Sequence, residues 1–259
     1  MVLRAILFLM VLLISGCRST NIEVIAHRGA SGEETENTIA AIKKAIELNT
    51  DAIEIDIWRT KDDSIIVFHD RHTARLSNDS LIIPEAYFAD LRNLTLKGNR
   101  KIPTLREVLE ILPDDMKLFI EIKCCWEVGK AGEVFPMLSE LLEETGKTSQ
   151  AVIISFNPDK LVEASDFLPD VPTYWLVWEN KPVDELIEKA LDYGVDGLDV
   201  NYGILSNELL SKASMNNLEI YVWTVNDPVL AEKILAEYPG IKGITTDHPD
   251  LIKKIVIQK

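Results

Sequence analysis

The chain has 259 residues, 47% of them hydrophobic and 27% charged, which is ample material for a large core and excludes a disordered or low-complexity polymer. Its 42 acidic side chains outnumber 27 basic ones, for a formal net charge of −15. Such an excess opposes the phosphate contacts of nucleic-acid binding, so no nucleic-acid partner is expected, and it also repels anionic lipid surfaces. Length allows one large domain or two small ones, and α/β barrels reach roughly 250 residues as single units.

The chain opens on a leader. Arg4 precedes an apolar run from Ala5 to Ile14, followed by Ser15-Gly16-Cys17. The run is about half of the ~20 residues a spanning helix needs, and it matches the core of a signal peptide. Leu13-Ile14-Ser15-Gly16-Cys17 resembles a bacterial lipobox, in which small residues precede a cysteine that is lipidated and becomes the new first residue. The expectation is removal of residues 1–16, membrane attachment through a lipidated Cys17, and an exported domain over 17–259 on the periplasmic or cell-surface side. An ordinary secretory signal with an incidental cysteine is the alternative. Cys124 and Cys125 are sequence neighbours and could form only a strained bridge, so they are expected to be small buried thiols.

From residue 22 onward, short β-branched runs alternate with longer amphipathic stretches. Strands are predicted at Glu23–Ala26, Ala52–Ile57, Ile65–Phe68, Leu118–Ile122, Ala151–Ile154, Thr173–Val177, Val195–Val200, Glu219–Thr224 and Ile241–Ile244. Helices are predicted at Thr38–Leu48, Leu105–Leu112, Val134–Thr145, Asp159–Phe167, Val183–Tyr193, Asn207–Met215, Pro228–Glu237 and Pro249–Val256. Asn37, Asn157-Pro158 and Asn226-Asp227-Pro228 supply start signals for three of them. Only Lys61-Asp62-Asp63-Ser64 separates the second and third strands, too little for a helical crossover, so the third folds back as a hairpin arm. Eight βα units remain, which predicts a (β/α)8 TIM barrel with a short insertion over 71–100. A doubly wound open sheet is the rival architecture.

In such a barrel, chemistry gathers where strands end. The predicted ends carry His27-Arg28-Gly29, Glu54 and Asp56, His69-Asp70, Glu121 and Lys123, Ser155, Asn201, Trp223 and Asp247. Glu54 and Asp56 are two apart on a strand and share a face, as do Glu121 and Lys123. The hairpin turn brings His69 opposite Ile55, beside the acidic pair. A like-charge pair at about 4 Å costs roughly 4 kcal/mol at an effective dielectric of 20, so three inward carboxylates need a proton or a cation. Oxygen ligands favour a hard divalent ion, Mg2+ or Ca2+, held by Glu54, Asp56 and Glu121. A salt-bridge network through Lys123 with no metal is the alternative.

His27-Arg28-Gly29, Glu36-Asn37-Thr38, Glu54-x-Asp56, His69-Asp70, Glu121-x-Lys123, Trp223-Thr224-Val225-Asn226 and Thr246-Asp247, in this order, resemble the glycerophosphodiester phosphodiesterase family over residues 22–257. Thr35 stands where that family usually has proline, a change in loop rigidity rather than in chemistry. The resemblance implies a TIM barrel, one divalent metal, two catalytic histidines and hydrolysis of glycerophosphodiesters to sn-glycerol 3-phosphate and an alcohol. It also implies a route in which a glycerol hydroxyl attacks first and water opens the cyclic phosphate. Carried onto this chain, His27 and His69 are the acid and base, and Arg28 and Lys123 clamp phosphate charge. Trp223 is expected to line the substrate channel. Asp70 is expected to orient His69 or to cap the following turn, His72 to lie at the surface and His248 to serve as a cap. Glu36 and Asn37 stand where they could touch the site, and capping alone accounts for Asn37. Leu81-Ile82-Ile83 and Tyr87-Phe88 are the candidate apolar rim for an intact-lipid substrate. A non-catalytic phosphodiester-binding lipoprotein would need no pair of proton carriers.

Overall fold

The computed structural model describes residues 22–123 and 134–257; the leader, Cys17, Cys124 and Cys125 lie outside them. Eight strands run parallel: β1 (Glu23–His27), β2 (Ala52–Arg59), β4 (Lys117–Ile122), β5 (Ala151–Ser155), β6 (Thr173–Val177), β7 (Gly197–Asn201), β8 (Glu219–Trp223) and β9 (Gly243–Thr246). Pairing of β1 with both β2 and β9 closes the barrel, which rules out the open sheet. β3 (Ile65–Val67) is the antiparallel arm, with Ile57 opposite Val67 and Arg59 opposite Ile65. Two runs sit further along the chain than the apolar pattern indicates. β7 begins at Gly197 because the Val195 amide still bonds the Ala190 carbonyl of the preceding helix, and β9 reaches Thr246 through its pairing with Ala26 of β1.

Helices α1 (Ile39–Glu47), α3 (Leu105–Leu109), α4 (Val134–Thr145), α5 (Pro158–Phe167), α6 (Val183–Tyr193), α7 (Asn207–Met215), α8 (Pro228–Glu237) and α9 (Pro249–Ile257) surround the sheet, with the short α2 (Phe88–Asn93) in the insertion. Asn157 and Asp227 cap α5 and α8, each followed by proline at the first turn, and Thr104 and Glu107 form a reciprocal capping box on α3. Thr38, not Asn37, caps α1: its hydroxyl accepts from the Ala41 amide.

Strict alternation sorts the strand residues. Ile53, Ile55 and Ile57 of β2 and Leu118, Ile120 and Ile122 of β4 face the helices in the main core. Their neighbours face the barrel axis, where Ile25, Ala52, Phe119, Val152, Ile154, Tyr174, Leu176 and Tyr221 form an inner cluster. The insertion has a core of its own, in which Trp58, Ile66 and Phe68 meet Leu76, Ile83, Leu91, Leu94, Leu96 and Ile102. This leaves little of the candidate apolar rim exposed. Ile83 is fully buried, Leu81 and Phe88 pack against the same cluster, and Tyr87, half exposed, lies under the Lys61 ammonium. No helix among the described residues is long and apolar enough to cross a membrane.

Candidate active site

β1 delivers His27 to the C-terminal mouth, and the turn after it is set by backbone geometry. Arg28 adopts φ 57° and Gly29 φ 78°, and a Cβ on Gly29 would meet the Ala41 carbonyl carbon at 2.6 Å, so only glycine fits. This tight turn aims the Arg28 amide at Glu54 Oε2 (2.8 Å) and folds its guanidinium back to Glu36 (2.9 Å) and Asp56 (3.4 Å).

Glu54 and Asp56 project inward from β2 and Glu121 from β4, where it stands beside Asp56 in register. One oxygen from each of the three lies within 4.8 Å of the others, and all three are buried. Lys123 reaches Asp56 at 3.1 Å and Glu121 at 2.8 Å. Burial pushes the Glu54 carboxyl well above its ordinary range, reinforced by Asp56 and Glu121, and it raises Glu121 in the same way. Burial opposes ionisation of Asp56 too, but the Lys123 and Arg28 cations outweigh it and hold this group far below the carboxylate range. Arg28 and Lys123 are conversely held in their charged forms by the acids around them, against the effect of burial. Two cations thus face three acids. Asp56 Oδ1 has the Lys123 ammonium beside it, and the three clustered carboxylates make an all-oxygen donor set that fits a hard divalent cation.

Both histidines are held through Nδ1. His27 Nδ1 lies 2.6 Å from Asp247 Oδ1, with Nε2 3.9 Å from Glu54. His69 follows the hairpin arm and sets Nδ1 2.7 Å from Asp70 Oδ1. Burial lowers the His69 pKa, an effect that Asp56 opposes and Lys123 and Arg28 reinforce. His27, Arg28, Glu54, His69, Glu121, Lys123 and Trp223 all line one cavity of about 140 Å3. Every candidate site residue therefore stands at this mouth, with Asp56 immediately behind the lining.

Several partners escaped the sequence reading. Asn37 does not cap a helix; it adopts φ 55° and donates Nδ2 to Asp56 Oδ2 at 2.7 Å. Asp247 collects His27, Ser31 Oγ (2.9 Å) and Asn226 Nδ2 (2.6 Å), and these bonds overcome burial and lower its pKa. Arg75 comes from the insertion and ties Asp70 (2.5 Å) to Glu36 (2.6 Å), bracing both the His69 and the Arg28 partners. Thr35 donates to the Lys97 carbonyl at 2.9 Å, so the position lacking proline is anchored to the insertion instead. Asp199, on the inner face of β7, lines the cavity, and its only earlier signal was an acid inside an apolar run. His72 is exposed, and the His248 carbonyl accepts from Leu251 and Ile252 at the start of α9.

A closed (β/α)8 barrel that brings a buried acid triad able to hold a metal, two carboxylate-held imidazoles and two cations to one mouth assembles the groups that hydrolysis of a phosphate ester calls on. Comparison with known proteins agrees. The sequence model of the glycerophosphoryl diester phosphodiesterase family matches residues 27–251. A Caldanaerobacter subterraneus glycerophosphodiester phosphodiesterase is 30% identical over 246 residues, covering 90% of this chain and 97% of its own. A Bacillus subtilis enzyme of the same name is 28% identical over 260 residues, covering 89% and 85%. Among solved structures, an Oleispira antarctica phosphodiesterase in complex with its product sn-glycerol-3-phosphate superposes with a TM-score of 0.84, at 26% identity and over 93% of this chain and 98% of that one. The chain belongs to the glycerophosphoryl diester phosphodiesterase family and is a glycerophosphodiester phosphodiesterase.

Proposed function

We propose that this protein hydrolyses glycerophosphodiesters to sn-glycerol 3-phosphate and an alcohol, with His27 and His69 as the proton carriers and one divalent cation, Mg2+ or Ca2+, held by Glu54, Asp56 and Glu121. One observation carries the reading: two imidazoles anchored at Nδ1 by separate carboxylates face the same cavity as the acid triad. Anchoring at Nδ1 leaves each Nε2 to exchange a proton with a ligand. In the first step one histidine accepts the proton of the attacking glycerol hydroxyl as its oxygen bonds to phosphorus, and the other donates a proton to the departing alkoxide as the P–O bond breaks. In the second step water attacks the cyclic phosphate and gives its proton to one histidine while the ring oxygen takes a proton from the other, leaving sn-glycerol 3-phosphate; each transfer is worth about 10²- to 10⁴-fold. Arg28 and Lys123 bind the non-bridging phosphoryl oxygens. A bound cation would polarise a phosphoryl oxygen and offset charge as it builds there. Trp223 forms a wall beside the glycerol site, its Nε1 held by the Asp199 carbonyl at 3.0 Å.

The domain is exported and tethered by a lipidated Cys17 in this reading. Burial of most apolar residues of the insertion favours water-soluble glycerophosphodiesters over intact lipids. The test is release of sn-glycerol 3-phosphate from glycerophosphocholine, coupled to its dehydrogenase. Turnover is expected with Mg2+ or Ca2+ present; no release with either ion overturns the reading.

A further inference from the structure

The cavity has an acidic wall that the proton chemistry does not use. Asp199 occupies an inward position of β7 between Gly197 and Asn201 and is 2% exposed. Its Oδ1 is buried with no hydrogen-bond partner among the described residues. Such an oxygen costs stability, and a fold keeps one where a ligand supplies the missing bond. Asp199 is not a fourth member of the metal set, which comprises Glu54, Asp56 and Glu121. It shares the cavity with the proton carriers and Glu121 on one side and with the apolar Ile154, Phe156, Leu176 and Trp223 on the other.

Two spaces meet at His69, Glu121 and Lys123. One is the cavity of about 140 Å3 that Asp199 lines; the other is a larger groove of about 610 Å3 running past Trp58, Arg71, Asn157 and Pro158. A phosphate at the junction sends one ester arm into each. The smaller space suits a three-carbon polyol, and the larger groove suits head groups of varied size. A hydroxyl both donates and accepts, so it can satisfy a carboxyl in either protonation state.

Resting on the phosphodiesterase reading above, we infer that Asp199 hydrogen-bonds a free hydroxyl of the glycerol arm and thereby selects deacylated substrates. An acylated or missing terminal hydroxyl leaves the buried oxygen unpaired, and an acyl chain exceeds the cavity. Asp199 is a specificity residue, separate from the histidines and the acid triad.

The experiment compares choline release from glycerophosphocholine and from propane-1,2-diol phosphocholine, which lacks only the terminal hydroxyl. It uses the wild type, Asp199→Asn and Asp199→Ala, each with its melting temperature. The wild type should prefer glycerophosphocholine by about 10- to 100-fold in kcat/KM. Asp199→Ala should bring that ratio near one by losing activity on glycerophosphocholine alone, whereas Asp199→Asn, still able to bond a hydroxyl, should keep most of it. The melting temperature of Asp199→Ala should hold or rise, because an unpaired buried carboxyl is removed. A wild-type ratio near one, an unchanged ratio in Asp199→Ala, or an equal loss on both substrates overturns the inference and leaves the phosphodiesterase reading standing. Absence of wild-type turnover on glycerophosphocholine instead overturns that reading.

Discussion

The two ends of the barrel hold acids at equivalent inward positions and treat them in opposite ways. At the N-terminal pole, Glu23 meets Lys117 at 2.8 Å and the Tyr221 hydroxyl at 3.1 Å. Glu219 there accepts from the Tyr174 hydroxyl at 2.6 Å and meets Lys242 at 2.9 Å. The rings of Phe119, Tyr174 and Tyr221 stack edge to face above them and plug the axis. Burial opposes ionisation of Glu219, but Tyr174 and Lys242 outweigh it and lower its pKa. At the mouth, Glu54, Asp56 and Glu121 share Arg28 and Lys123 while Asp199 has neither, and burial disfavours ionisation of all four; the net pKa is raised in each except Asp56, where the cations win. Pairing makes one end a structural plug. Incomplete pairing leaves the other end with binding capacity that a ligand completes, at a cost in stability.

The sharpest way to break this contrast is to remove a proton carrier. His27→Ala or His69→Ala should lower kcat on glycerophosphocholine by about 10²- to 10⁴-fold, while Tyr221→Phe at the plug should leave kcat unchanged. Steady-state kinetics on the three variants decides it, and wild-type turnover in either histidine variant removes that residue from the mechanism. Next in size is the cation. Excess chelator should abolish turnover and Mg2+ or Ca2+ restore it, with the melting temperature rising on addition in the wild type and not in Glu54→Gln. Full activity in chelator would leave the acid triad as a salt-bridge network.

A pH series in chelator should then separate the poles by the sign of their slopes. Burial and the Glu121 charge push Asp199 up to about 8, so the folded chain keeps a proton that the unfolded chain loses near pH 4. Stability from this group therefore falls as pH rises between about 4 and 8. Glu219 has a lowered pKa, so its contribution is present above its unfolded value, roughly 4.3, and is lost as pH falls through the folded one. Thermal melts should show the first slope flattened in Asp199→Asn and the second in Glu219→Gln. Equal slopes in wild type and variants would dissolve the distinction. The smallest expected effect is at the plug itself. Glu219 and Lys242 are each 40% exposed, so Glu219→Gln should cost only about 0–1 kcal/mol at neutral pH by denaturant unfolding.

Much of this molecule was legible along the chain. Glu54-Ile55-Asp56-Ile57 and Glu121-Ile122-Lys123 alternate acid or cation with isoleucine, so the side facing the helices and the side facing the axis separate by period alone. The four-residue Lys61–Ser64 turn likewise forces the hairpin that carries His69 back to Asp56, where the Phe68 amide donates to the Asp56 carbonyl at 2.9 Å. Asn37 misled because an asparagine before a helix reads as a cap; Thr38 takes that role and leaves the amide free for Asp56. The apolar residues of 81–88 were candidates for a rim only on the intact-lipid alternative, and position in the chain could not show that the insertion packs most of them into a core of its own.

Strand order, helix starts and the identity of the reactive groups are local properties, carried by alternation, capping residues and turn length, and the chain determined them by itself. Tertiary structure decided which groups meet. His27 and Asp247 are 220 residues apart and touch only because β1 and β9 close the barrel. Arg75 reaches Glu36 only because the insertion folds over the mouth, and Asp199 is left unpaired only because no cation on a neighbouring strand points its way. Pairing, burial and the direction of each pKa depend on closure in three dimensions, which no local pattern encodes.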